Sequence, residues 1–264
     1  MPGGSSNRPP MPDQRQSSAP TSDRPRRGWT AILERAAAQW RLKATLSVTL
    51  GILFCVPYFL IGNFPLLPVH ELPLTWPDRA IGFHPYFWVW VYQSLYVPVN
   101  LIPWLATERA DLLRYARGFV LLSLISFAVF IFFPIRAPKP LVAHPTGMYG
   151  LLLRYDVPLN SLPSLHAGLL VYTLAFGRRI TAGGKFSAIR ALTGVWAGLI
   201  LYATLATKEH YAVDIIAGAM LAVCVHAWVW REVAPTTKGR PEDRPERTTP
   251  EARLPAAEPL QARP

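Results

Sequence analysis

Apolar and polar positions along this chain are segregated into blocks; they do not alternate. Six apolar runs, most of about 16–23 residues and nearly free of charge, have the length a helix needs to cross a bilayer. They lie near 44–60, 85–105, 116–135, 164–176, 191–206 and 211–230. The fourth reaches spanning length only when Pro163 and residues 177–180 are added. The pattern predicts an all-α, polytopic membrane protein: one domain over residues 29–232 with six transmembrane helices in a bundle. Residues 1–28, rich in Pro, Ser, Arg and Gly, and residues 233–264, rich in Pro, Arg, Glu and Thr, have little to bury and are expected to be disordered tails. Residues 29–43 read as a basic helix lying on the membrane ahead of the first span, with Trp29 and Trp40 at the interface.

The segments between runs carry further expectations. The 62–82 stretch has prolines at 65, 68, 73 and 77 and should not form regular helix. His70, Glu71, Asp78 and Arg79 there read as solvated loop residues, and His84 as an interface histidine. Pro98 and Pro103 should kink the second run, which helix packing in a membrane tolerates. Its aromatic outer end, Tyr86 to Tyr92, reads as an interfacial belt, with lipid-headgroup contact as the sharper alternative. Residues 108–117 read as a short charged turn and 148–155 as a short helix. Gly194 and Gly198, four apart, are a close-packing signal between helices.

Composition then narrows the class. The chain of 264 residues is 51% hydrophobic with a net charge of +11. Such a charge could suit nucleic acid, but its distribution argues against that partner. Of the 27 Lys and Arg, 22 lie in residues 1–43, 106–117, 178–190 and after Trp230; the other five are Arg79, Arg136, Lys139, Arg154 and Lys208. Alternate loops are therefore basic, as the positive-inside bias requires. Both termini are expected in the cytoplasm, and 61–84, 136–162 and 207–210 on the outer side. The 2 cysteines, Cys55 and Cys224, lie inside apolar runs and offer neither a disulfide framework nor zinc-ligand spacing.

Two polar clusters stand out at the starts of apolar runs. Pro163-Ser164-Leu165-His166 places a hydroxyl and an imidazole in the opening turn of a helix, where unpaired N–H groups and the dipole favour an anion. His210 and Asp214 are four apart, hence on one helix face, where a carboxylate can fix an imidazole tautomer. Alone, Ser164 reads as a helix cap, His166 as a packed interior residue, and His210 with Asp214 as a satisfied pair or metal ligands. The charge bias places both clusters, with Arg136, Lys139 and Lys208, at one membrane face, and that convergence favours a functional site over separate structural roles. His226 lies 16 residues beyond His210, roughly 24 Å deeper at about 1.5 Å per residue, and is expected to be structural.

The paired motifs Pro-Ser-Leu-His at 163–166 and His-x-x-x-Asp at 210–214 resemble the type-2 phosphatidic acid phosphatase superfamily over about residues 65–230. The segments from Asp78 to Tyr92 and from Asp156 to Asn160 look more like its inositolphosphotransferase branch. Where the superfamily has a lysine, six residues and then Arg-Pro, this chain has Phe132 and Lys139-Pro140, with Arg136 the expected substitute. Where a Ser-Arg pair precedes the histidine, it has Ala203 and Thr204, leaving Lys208 as the nearby cation.

The resemblance implies an integral membrane lipid phosphatase or phosphotransferase that requires no metal or cofactor. His210 would attack phosphorus and form a phosphohistidine, supported by Asp214, while His166 would protonate the leaving alcohol and then deprotonate the acceptor. Arg136, Lys139, Ser164 and Lys208 would hold the phosphoryl oxygens. The expected partners are a membrane lipid substrate and the bilayer; the oligomeric state and the choice between water, inositol and another hydroxyl as acceptor stay open. Two other classes compete. A transporter would want charges or broken helices near the bilayer midplane, and here Asp214 lies near one end of its span. A metalloenzyme using His166, His210 and Asp214 would usually need further histidines.

Overall fold

The computed structural model describes residues 28–155, 158–182 and 186–231. The tails expected at 1–28 and 233–264 lie outside them, Gly28 apart. The helices belong to a compact unit that ends at Trp230; of the second unit, Arg231–Pro264, only Arg231 is described.

The described chain is helical. In order come α1 (Gly28–Ala37), α2 (Trp40–Asn63), α3 (Trp76–Ala80), α4 (Pro85–Gln93), α5 (Tyr96–Leu101), a 3-10 turn (Ile102–Leu105), α6 (Arg109–Phe132), α7 (Gly147–Tyr155), α8 (Leu165–Ile180), α9 (Ser187–Ala206) and α10 (Ala212–Trp230). Four of these, α2, α6, α9 and α10, are long and apolar enough to cross a membrane. The other two apolar runs differ. The 85–105 run is broken at Ser94 and Leu95 because Pro98 has no N–H for the Ser94 carbonyl and its ring crowds that turn. The Ser94 hydroxyl turns back to the Val91 carbonyl (2.6 Å). Helix α8 has 16 residues, about 24 Å at 1.5 Å per residue.

Both short runs nevertheless join the same two ends of the bundle. His84 N–H donates to the Ala206 carbonyl at one end (2.9 Å). At the other, Lys43 Nζ donates to the Trp104 carbonyl (2.7 Å), and Arg35 Nη1 to the carbonyls of Leu105 (3.1 Å) and Ile180 (3.2 Å). That second end is basic and aromatic, with Arg179 and Arg114 over Trp230 and Arg117 over Trp228.

Helix α6 is the most buried of the four long helices and α2 the least. On α2, Val48, Ile52, Val56 and Leu60 are exposed, an unfavourable surface in water and an ordinary one in lipid. Tyr115 of α6 stacks on Tyr172 of α8 (5.3 Å between centroids) and bonds Thr173 (2.9 Å). A Cβ at Gly118 would overlap the Tyr172 hydroxyl.

Three expectations are corrected. Residues 108–117 are not a turn, since α6 begins at Arg109 and includes an Asp111–Arg114 pair one turn apart (3.6 Å). The Gly194–Gly198 signal is not used within the chain, because a Cβ at either would meet nothing within 4 Å. Close approach occurs instead between α8 and α10, at Gly168 and Gly218, where a side chain would strike the partner backbone. Finally, the 62–82 stretch begins with the last residues of α2, which runs to Asn63, and contains the one-turn α3.

A candidate active site where two helix starts meet

Helices α8 and α10 begin side by side, and backbone contacts hold them there. Ser164 N–H donates to the Asp214 carbonyl (2.9 Å), while Gly218 leaves room for the Ser164 carbonyl. The Ser164 hydroxyl accepts from Ala167 N–H (3.2 Å) and caps α8. This register brings His166 and His210, 44 residues apart, to 3.1 Å between Nδ1 of the first and Nε2 of the second.

His210 is nearly buried and held from its other side. Its Nδ1 lies 2.9 Å from the Ser161 carbonyl oxygen. A carbonyl only accepts, so Nδ1 carries the proton and Nε2 presents its lone pair toward His166. Asp214, 0% exposed, places Oδ2 3.5 Å from the same Nδ1. That oxygen also accepts from Tyr211 N–H (2.9 Å) and from the Ser161 hydroxyl. The expected direct donation from imidazole to carboxylate is therefore replaced. Oδ2 is already engaged by two donors, the Ser161 carbonyl is the nearer acceptor, and the carboxylate acts at slightly longer range.

His166 also meets Tyr92, whose hydroxyl lies 3.0 Å from Nε2 and 3.2 Å from Nδ1. One self-consistent proton order runs from Tyr92 O–H to His166 Nε2, from His166 Nδ1–H to His210 Nε2, and from His210 Nδ1–H to the Ser161 carbonyl.

The cations arrive on extended segments. Ile135 pairs in parallel with both His70 and Asn160. Ala137 N–H donates to the Pro158 carbonyl (2.7 Å), which ties the segment bearing Arg136 and Lys139 to the approach to α8. Lys139 Nζ lies 2.5 Å from Glu209 Oε2, a pair with side chains only 9% and 1% exposed. Arg136 is half-exposed and lies 3.7 Å from Glu71. Two of the three expected phosphate-binding cations thus face carboxylates. Nearby, burial pushes the Tyr149 phenol up to about 12, with the Glu209 charge adding to the rise and Lys139 opposing it. That phenol is neutral at physiological pH.

Lys208 is placed differently from the expectation. Its backbone is left-handed (φ 58°), and Nζ donates to the carbonyls of Asp78 (2.5 Å) and Ile81 (2.7 Å) at the end of α3. Burial lowers its pKa, against the opposing charge of Asp78. Asp78 is buried, not solvated. Its Oδ1 accepts from Ala212 N–H (2.8 Å) and so satisfies the first turn of α10. Its Oδ2 accepts from Thr75 N–H (2.7 Å) and the Thr75 hydroxyl (2.5 Å). His226 packs between Tyr172 and Trp230, near the opposite end of α10 from His210.

Sequence reasoning did not place Tyr92, Ser161, Glu209 or Asp78 in the site. Only Tyr92 carried a usable signal: Pro85, Val89 and Tyr92 recur at helical spacing and are the buried positions of α4, whereas a belt residue would face outward.

The site and fold define a multi-pass helical membrane protein in which two histidines, one backed by a carboxylate, meet at adjoining helix starts. A family model described as the PAP2 superfamily matches residues 70–228, and the chain belongs to that superfamily. Membership supports a phosphatase-type enzyme. Comparison with curated proteins and with solved structures gives no match.

Proposed function

We propose that the protein is an integral membrane lipid phosphatase or phosphotransferase working through a phosphohistidine on His210. His210 Nε2 attacks phosphorus, forming an N–P bond as the P–O bond to the leaving alcohol breaks, and His166 gives that oxygen its proton. The acceptor, water or another hydroxyl, then attacks the phosphohistidine, losing its proton to His166 and freeing His210. Asp214 supports the positive ring, the Ser161 carbonyl holds its Nδ1–H, and Lys139, Arg136 and the α8 N-terminus receive the phosphoryl oxygens. The observation carrying this reading is the His210 ring itself: Nδ1 fixed at 2.9 Å by a carbonyl, with Nε2 turned toward His166.

A second reading within the class is transfer of a phosphodiester headgroup, such as phosphoinositol, to a lipid hydroxyl. It is favoured by the pairing of Lys139 with Glu209 and Arg136 with Glu71, which offsets positive charge where a phosphate must bind. A monoanionic diester loses less by this than a dianionic monoester. For the membrane, we read six crossings with both termini cytoplasmic and the site facing outward. Support comes from 85–105 and α8 joining the same two ends as the four long helices, and from the basic residues gathered at the end away from the histidines.

The test is trapping. Brief exposure to a phosphorus-labelled lipid phosphate, denaturation without acid, and peptide mapping should place label on the His210 peptide and none in His210→Ala. Label on Ser164, or turnover by His210→Ala, overturns the phosphohistidine. Mass analysis of products, with and without inositol, separates free phosphate from a transferred headgroup.

A further inference from the structure

A cavity of about 450 Å³ opens between α2 and the broken α4–α5 segment, with α6 and α8 behind it. Helix α2 contributes one face, through Lys43, Leu50, Phe54 and Tyr58 at successive spacings of seven, four and four, with Gly51 beside Leu50. Those residues span about 22 Å at 1.5 Å per residue. The walls between are largely apolar, and the two ends are polar. At one end are Tyr92 and His166, whose ring is 3.1 Å from His210. At the other, Lys43 Nζ donates to the Arg35 and Trp104 carbonyls (2.7 Å each), and Arg35 reaches across to Leu105 and Ile180. Those interlocked contacts close the floor.

Resting on the phosphotransfer reading, we propose that this cleft holds one hydrocarbon chain of the lipid substrate, with its phosphate at the histidines. On this proposal the Lys43–Arg35 floor sets the longest chain that fits. The wall chemistry decides the occupant. A sugar or nucleotide lying along it would bury hydroxyls without partners, and water would find too few polar groups. A chain moved there from the bilayer gains little hydrophobic free energy, since lipid is as apolar as the wall. The cleft therefore selects length and position more than it adds affinity.

Gly51 provides the test. It lies midway along the cleft, a Cβ there meets nothing within 4 Å, and it touches no catalytic group. In nanodiscs, Gly51→Phe should lower kcat/KM for oleoyl lysophosphatidate roughly tenfold, equivalent to about 1.4 kcal/mol. It should leave octyl phosphate turnover unchanged, and Gly51→Ala should preserve both. Equal loss on both substrates, or no loss on either, overturns the cleft. Should the wild type turn over neither substrate, the phosphomonoester reading falls while the cleft is still judged by photolabelling. Oleoyl lysophosphatidate bearing a diazirine at its chain end should label the α2 peptide around Leu46 in the wild type and not in Gly51→Phe. Label placed elsewhere overturns the cleft.

Discussion

The Tyr92 hydroxyl helps to hold the His166 ring before substrate arrives, because it lies within 3.0 Å of Nε2 while His210 lies 3.1 Å from Nδ1. Tyr92→Phe keeps the ring that packs edge-on against His166 (5.1 Å) and removes only that oxygen. Turnover of an alkyl phosphate, whose leaving oxygen needs a proton, should fall roughly tenfold, about 1.4 kcal/mol. An aryl phosphate leaves more readily without a proton and should suffer less. Equal loss on both esters would make Tyr92 a packing residue and nothing more. His166, His210 and Asp214 were legible from sequence because each announces itself by residue type at a helix start. Ser161 was not, since its central contribution is a carbonyl that every residue possesses. Glu209 was not because its partner, Lys139, comes from a distant segment.

At the scale of elements, the site depends on how closely α8 approaches α10. A Cβ at Gly218 would overlap the Ser164 carbonyl, and one at Gly168 would lie 3.2 Å from the Gly218 carbonyl. Backbone cannot yield there as a flexible side chain could. Gly218→Ala should therefore force the helix starts apart, at the roughly 1–3 kcal/mol typical of overpacking. Its thermal midpoint should drop, and turnover should fall further than stability alone explains, because the His166–His210 spacing widens. Gly168→Ala should be milder. Gly194→Ala and Gly198→Ala, which meet open space, should leave both measurements unchanged; damage from Gly198→Ala matching that from Gly218→Ala would overturn this assignment. The four-residue glycine spacing in α9 was the louder sequence signal. The pair that matters lies on two different helices, where no spacing within one segment could reveal it. The apolar runs themselves were readable because length and lack of charge are local properties. The break before Pro98 was readable too, since a proline lacks its N–H wherever it stands, whereas the start of α6 at Arg109 was not, because a charged stretch suits a turn and an exposed helix turn alike.

At the scale of the whole molecule, orientation follows from which end carries the cations and which the histidines. Arg35, Lys43, Arg114, Arg117 and Arg179 gather at one end through contacts with carbonyls and tryptophans. The helix starts bearing His166 and His210 lie at the other. Positive residues are retained in the cytoplasm during insertion, so the histidine end should face outward. His144 lies exposed on the loop before α7, on that side. Cys55 and Cys224 are exposed on apolar helices, so serine or alanine in their place should be tolerated. In that cysteine-free background, His144→Cys should react with a membrane-impermeant maleimide on intact cells, while a reporter fused after Trp230 should be cytoplasmic. Labelling only after permeabilisation would invert the orientation. It would put phosphate transfer on the cytoplasmic leaflet and require the basic end to have been translocated, against the bias its charges impose.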